Sequence, residues 1–201
     1  VKSFVRKDFV GYFSSHYVAK DTIIAVAGNV DKEKVKNEIV PKFFEKARIG
    51  DKLERLPVKE FQTEPGVLLH HKKTDQTHFV LGSRAYDMFS PKIEAAQLLS
   101  VILGGGMSSR LFISVREKQG LAYYVSSSLE AYTDHGYFGT QAGVNNDKAE
   151  RAISTVLEEY KNIKKNSVPE EEVKKAKEFI KGKLVIGLEQ SDDLAAFYAN
   201  Q

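Results

Sequence analysis

The chain has 201 residues, 42% of them hydrophobic, enough for one large domain or for one domain with a fragment of another. Its 30 Lys and Arg are interspersed with 27 Asp and Glu, and a net charge of +3 argues against a nucleic-acid or membrane-surface footprint. No apolar run approaches the roughly eighteen residues a membrane-spanning helix needs, and the lack of cysteine excludes disulfides and thiolate metal sites.

Lys7 to Tyr17 reads as an amphipathic helix, with Phe9, Phe13 and Tyr17 on one stripe and Val10 beside it. Thr22 to Ala27 is a β-branched apolar run closed by Gly28 and Asn29, the pattern of a buried strand. Asp31 offers an N-cap to a helix carrying Val35, Ile39, Phe43 and Phe44, and Pro41 inside it predicts a kink or restart. Gly50 to Gly66, charged and holding Pro57 and Pro65, reads as a linker or surface loop. Val67 to His71 and Thr77 to Ala85 read as two strands around a polar turn. Ser90 and Pro91 open a helix with Ala95, Leu98, Leu99 and Ile102 on its inner face, and Gly104-Gly105-Gly106 ends it. Ser108 or Ser109 caps the next, short helix. Ala122 to Tyr132 and Tyr137 to Val144 form a hairpin. Two long helices follow, the second announced by Ser167-x-x-Glu170, and a helical pattern continues to the C-terminus.

Strand pairs alternating with helix pairs predict an α+β fold, an antiparallel sheet layered against long helices. The N-terminal residues V-K-S-F-V-R-K-D-F are too charged for a secretory signal, and with the missing cysteines they favour the cytoplasm.

One stretch carries more chemistry than the rest: L-G-G-G-M-S-S-R-L-F-I-S-V-R-E-K-Q-G-L-A-Y-Y-V-S-S-S, from Leu103 to Ser128. Arg116 sits near the end of the short helix and Tyr123 at the mouth of the following strand, with the Gly120 turn between them. A guanidinium and a phenol brought together in this way are two donors suited to an oxygen on which negative charge develops. From spacing alone, a surface arginine and a core tyrosine would be the plainer reading. With its G-L-A-Y context, however, the stretch resembles the pitrilysin/insulinase family of zinc peptidases, which includes the mitochondrial processing peptidases.

That resemblance covers nearly the whole chain. It implies a LuxS/processing-peptidase-like metallohydrolase fold. Residues 1–50 would be the helix–strand–helix unit closing a preceding zinc-binding domain, 51–66 a linker, and 67–201 most of a second, substrate-orienting domain. It also implies that Arg116 and Tyr123 hold the substrate carbonyl and its oxyanion. Gly105, Gly106 and Tyr124 would then contact substrate, Tyr124 from the opposite strand face because side chains alternate. The family's H-x-x-E-H motif is absent, and none of His16, His70, His71, His78 and His135 begins one. Solvated strand ends explain His70, His71 and His78 better than a metal site does, and the helix dipole explains Glu170 to Glu172.

The implied parent is a zinc metalloendopeptidase acting on peptides or unfolded polypeptides. This chain would be its metal-free half, inactive alone, and the zinc half would lie on the same chain or on a partner subunit. A non-catalytic peptide-binding or structural subunit is the alternative. A further expectation is that Thr22 to Ala27 pairs with the sheet built from Val67 onward, within one chain or between two chains of a swapped homodimer.

Overall fold

The computed structural model describes residues 2–51 and 53–200. The chain divides into two compact units, Val1–Leu56 with Lys183–Gln201, and Pro57–Gly182. This division differs from the expected 1–50, 51–66 and 67–201, since the last residues group with the N-terminal ones.

In the first unit, α1 (Arg6–His16) starts where the Val5 N–H donates to the Asp8 carboxylate at 2.9 Å. The stripe expected on it is present, and Phe13 stacks on Tyr17 with ring centroids 4.7 Å apart. Asp31 caps the next helix as expected, its Oδ1 accepting from the Lys34 N–H at 2.7 Å. That helix is broken: α2 (Lys32–Lys34) and α3 (Val40–Phe44) flank a π-helical turn, Val35–Ile39. The widened turn ends just before Pro41, which has no N–H for a regular bond. Thr22 to Ala27 is not a strand. It pairs with no segment among the described residues, and Ile23, Ile24 and Val26 are exposed. An apolar run becomes a strand only where a ladder partner takes its backbone groups.

The second unit is built on a three-stranded antiparallel sheet ordered β1-β3-β2, from β1 (Gln76–Ala85), β2 (Ala122–Ala131) and β3 (Gly136–Asn145). Between β1 and β2 lies α4 (Ile93–Gly104); α5 (Ala149–Lys165) and α6 (Glu170–Gly187) follow β3. The last helix of the chain, α7 (Ser191–Ala199), belongs to the first unit. The sheet and helices match the expected α+β class, but Val67 to His71 carries no ladder. Val67, Leu68 and Leu69 are 94%, 98% and 88% exposed, so this apolar segment has no partner strand among the described residues.

One face of the sheet makes the core. Phe138, Thr140, Ala142 and Val144 of β3 point inward and are buried, as are Leu111 and Val115 from the short helix and Ala152 and Val156 from α5. Each fully buried Leu or Val contributes about 1.5–3 kcal/mol over the exposed state. Thr140 is the polar member, and it is satisfied: its hydroxyl accepts from Tyr160 at 2.5 Å and bonds the Ser127 hydroxyl at 2.5 Å. The opposite face carries His78, Val80, Tyr124, Ser126 and Gln141, with Gly139 and Gly143 between them.

Candidate functional site

Two local irregularities frame Arg116 and Tyr123. The first is in the short helix, where Phe112–Glu117 forms a π-helical turn and the Lys118 N–H reaches back to the Ile113 carbonyl at 2.9 Å. Arg116 is exposed on this turn, its guanidinium 4.9 Å from the centroid of the Phe112 ring. Gly120, at φ +58°, then ends the helix. The Gly120 N–H donates to the Arg116 carbonyl at 3.1 Å and the Leu121 N–H to the Val115 carbonyl at 2.9 Å, which resembles a glycine helix cap widened by one residue. From α5 side, Lys148 Nζ donates to the Gly120 carbonyl at 3.0 Å and fixes the turn.

The second irregularity is a β-bulge. Ala122 pairs with Val144 and Tyr124 with Gly143, so Tyr123 is the extra residue on β2. Val125 and Ser127 face the core, and strict alternation would send Tyr123 inward after them. The bulge reverses the phase: Ala122 packs on the core, while Tyr123 and Tyr124 are both exposed. The expectation that Tyr124 lies on the opposite face from Tyr123 is therefore corrected, because the inserted residue removes the alternation on which it rested.

The Tyr123 hydroxyl donates to Asn145 Oδ1 at 2.6 Å, and the Tyr124 hydroxyl lies 3.1 Å from His78 Nδ1. No hydrogen bond joins Arg116 to Tyr123; the chain brings them to either side of one turn, with the Tyr123 hydroxyl engaged by Asn145 and the Arg116 guanidinium over Phe112. Neither Asn145 nor His78 stood out in the sequence. Asn145 looks there like an ordinary strand end, and His78 like one of several solvated histidines.

The triple glycine is explained first by close packing. A Cβ on Gly104 would stand 2.3 Å from the Ser127 backbone nitrogen, and one on Gly105 2.6 Å from Val101 Cα. Gly106 faces Phe179 and, with Ser109, Glu172 and Lys175, lines a cleft of about 70 Å³. Ser109 does not cap the short helix with its side chain, since its Oγ is buried without a hydrogen-bond partner. What anchors that helix is Arg110, which makes a bidentate pair with Glu172 of α6 at 2.8 and 2.6 Å. This hydrogen bonding raises the arginine pKa further, against the opposing effect of burial.

Among the described residues no group of three or more His, Cys, Asp or Glu could hold a metal ion. His78 is engaged with Tyr124 and His135 with Asp134. The His135 bond, together with the Val58 N–H, lowers the Asp134 pKa.

Residues 3–180 match the family described as "Peptidase M16 inactive domain". The chain is 33% identical to "Uncharacterized zinc protease YmxG" of Bacillus subtilis over 90% of its own length and 43% of the relative's. An "Uncharacterized zinc protease" of Rickettsia felis is also 33% identical, with 99% and 48% covered. A solved protease from Helicobacter pylori shares the fold with a TM-score of 0.82 at 27% identity, covering 99% of this chain and 49% of that one. The class is thus the inactive domain of a peptidase fold. The chain belongs to the peptidase M16 family, as a member of its inactive-domain group, and it spans less than half the length of these relatives.

Proposed function

We propose that this chain is the substrate-orienting half of a zinc metalloendopeptidase that hydrolyses peptides or unfolded polypeptides. The observation that carries the reading is that Arg116 lies within a π turn and Tyr123 is the inserted residue of a β-bulge, on either side of the Gly120 turn. Such insertions re-aim side chains at functional sites. The names of the relatives as zinc proteases support the parent's activity and its metal. The described residues hold no cluster that fits a zinc site, and in this reading the ligands belong to the other half, on the same chain or a partner subunit. Here Arg116 and Tyr123 donate hydrogen bonds to the scissile carbonyl oxygen as its charge grows. Tyr124 and Gly106 contact the substrate, and Gly105 shapes the turn.

One observation favours the second reading, a non-catalytic peptide-binding subunit: the Tyr123 proton is already given to Asn145. The deciding experiment is a quenched-fluorescence peptide assay on the full-length protein. Chelator-sensitive cleavage that falls about a hundredfold in kcat with Tyr123→Phe supports the peptidase. A full-length protein that binds peptide but cleaves none supports the subunit.

A further inference from the structure

We infer that Asn145 is a positioning residue for Tyr123, and that its side-chain amide sets the direction of the phenolic proton. The inference rests on the reading of Tyr123 as an oxyanion donor.

Asn145 ends β3 and stands at the N-cap of the 3₁₀ turn Asn146–Lys148, with φ −63° and ψ 147°. Asparagine at such a position ordinarily accepts from a backbone N–H of the turn. Asn145 makes no such bond, and its Oδ1 takes the Tyr123 hydroxyl instead. Its backbone is held by other means. Gln76 is its ladder partner on β1, and the adjacent Asn146 binds the start of that strand twice, accepting from Thr77 Oγ1 at 2.8 Å and donating to the Thr74 carbonyl at 2.8 Å. One amide thus secures the strand end, which leaves the other for the phenol at the bulge.

The consequence is a matter of donors and acceptors. With Oδ1 facing the phenol, the proton of Tyr123 points at Asn145 and none is offered to a substrate oxygen. A half-turn about the amide's terminal torsion brings Nδ2 to the same place. The amide then donates to the phenolic oxygen, whose proton is released toward the oxyanion. A chain of this kind, N–H to O–H to oxyanion, strengthens each bond in it. Only a side chain with both a donor and an acceptor can hold Tyr123 in both arrangements.

The test compares Asn145→Asp, Asn145→Ala, Tyr123→Phe and the double variant Asn145→Asp/Tyr123→Phe in the full-length enzyme, each shown by thermal melting to be folded. A carboxylate only accepts, so Asn145→Asp keeps the proton from the substrate; kcat falls about as far as with Tyr123→Phe, on the order of a hundredfold. Asn145→Ala leaves the phenol unlocated but free, and kcat falls less. KM changes little in any of them, and the double variant is no slower than Tyr123→Phe alone. If Tyr123→Phe loses activity while Asn145→Asp keeps wild-type kcat, or if the two losses multiply in the double variant, the role of Asn145 is overturned. If Tyr123→Phe itself keeps wild-type kcat, the oxyanion reading fails first and takes this inference with it.

Discussion

The ring of Tyr124 occupies the space that a side chain at Gly143 would need: a Cβ there would stand 2.5 Å from Tyr124 Cε1 and 3.2 Å from His78 Cε1. The three residues are in register across β1, β3 and β2, so the bare middle strand is what lets a tyrosine of one outer strand reach a histidine of the other. Gly143→Ala is expected to push the ring aside, break the 3.1 Å contact with His78 and cost about 1–3 kcal/mol. Adding Tyr124→Ala should return part of that loss, because it removes the clashing atoms. Chemical-denaturant unfolding of the single and double variants checks the sign of this coupling.

A similar logic applies to Arg110 and Glu172, whose side chains are 20% and 28% exposed. Glu172→Gln leaves the guanidinium half-buried without its counter-charge, at an expected cost of about 1–2 kcal/mol after allowance for solvent screening. Replacing both residues with Leu or Met of similar volume should cost less than the single change. Urea unfolding midpoints at fixed pH separate the two cases.

For Arg116, the expected discriminating variant is lysine. The guanidinium lies over Phe112 and can present a planar fork, whereas an ammonium is a point charge on a flexible stem. Arg116→Lys in the full-length enzyme should lower kcat/KM at least tenfold, about 1.4 kcal/mol of transition-state stabilisation. Wild-type kinetics in a folded variant would remove Arg116 from the site.

Much of the fold was legible because periodicity and caps report local structure directly. The β2–β3 hairpin, the Asp31 cap and part of the inner face of α4, Leu99 and Ile102, stood in the sequence, whereas Ala95, expected on that face, is exposed. Two strand expectations failed together. Thr22 to Ala27 and Val67 to His71 have the composition of strands, yet a strand is made by its neighbour, and neither has one among the described residues. The candidate residues could be picked out in the sequence by type, but their geometry could not. An alternating pattern cannot mark an inserted residue, so the phase change at Tyr123 was invisible, and with it the role of Asn145 at the far strand end.

This chain by itself is expected to bind no stoichiometric zinc and to cleave no peptide. Its histidines are spoken for singly or stand apart, and no three metal-binding side chains cluster among the described residues. Elemental analysis after dialysis tests the first expectation and a fluorogenic peptide assay the second. One tightly held equivalent of zinc with chelator-sensitive turnover would place a metal site on this chain.

The buried hydroxyl chain gives an alkaline signature. Tyr160 donates to Thr140, which bonds Ser127, and desolvation raises the Tyr160 pKa above its usual 10. Below that value the phenol is protonated in both the folded and unfolded chain, and its contribution to stability is complete. As the pH rises past about 10, the unfolded chain ionises first, so stability falls until the pH passes the folded value. Tyr137 shifts in the same direction but is exposed, and solvent screening weakens its share. Tyr160→Phe should therefore lower stability at neutral pH by about 1 kcal/mol, through the lost hydrogen bond. It should also flatten the alkaline limb, so that the variant and wild-type melting temperatures converge between about pH 9 and 11. Parallel curves over that range would mean that Tyr160 does not hold its proton more tightly in the folded chain.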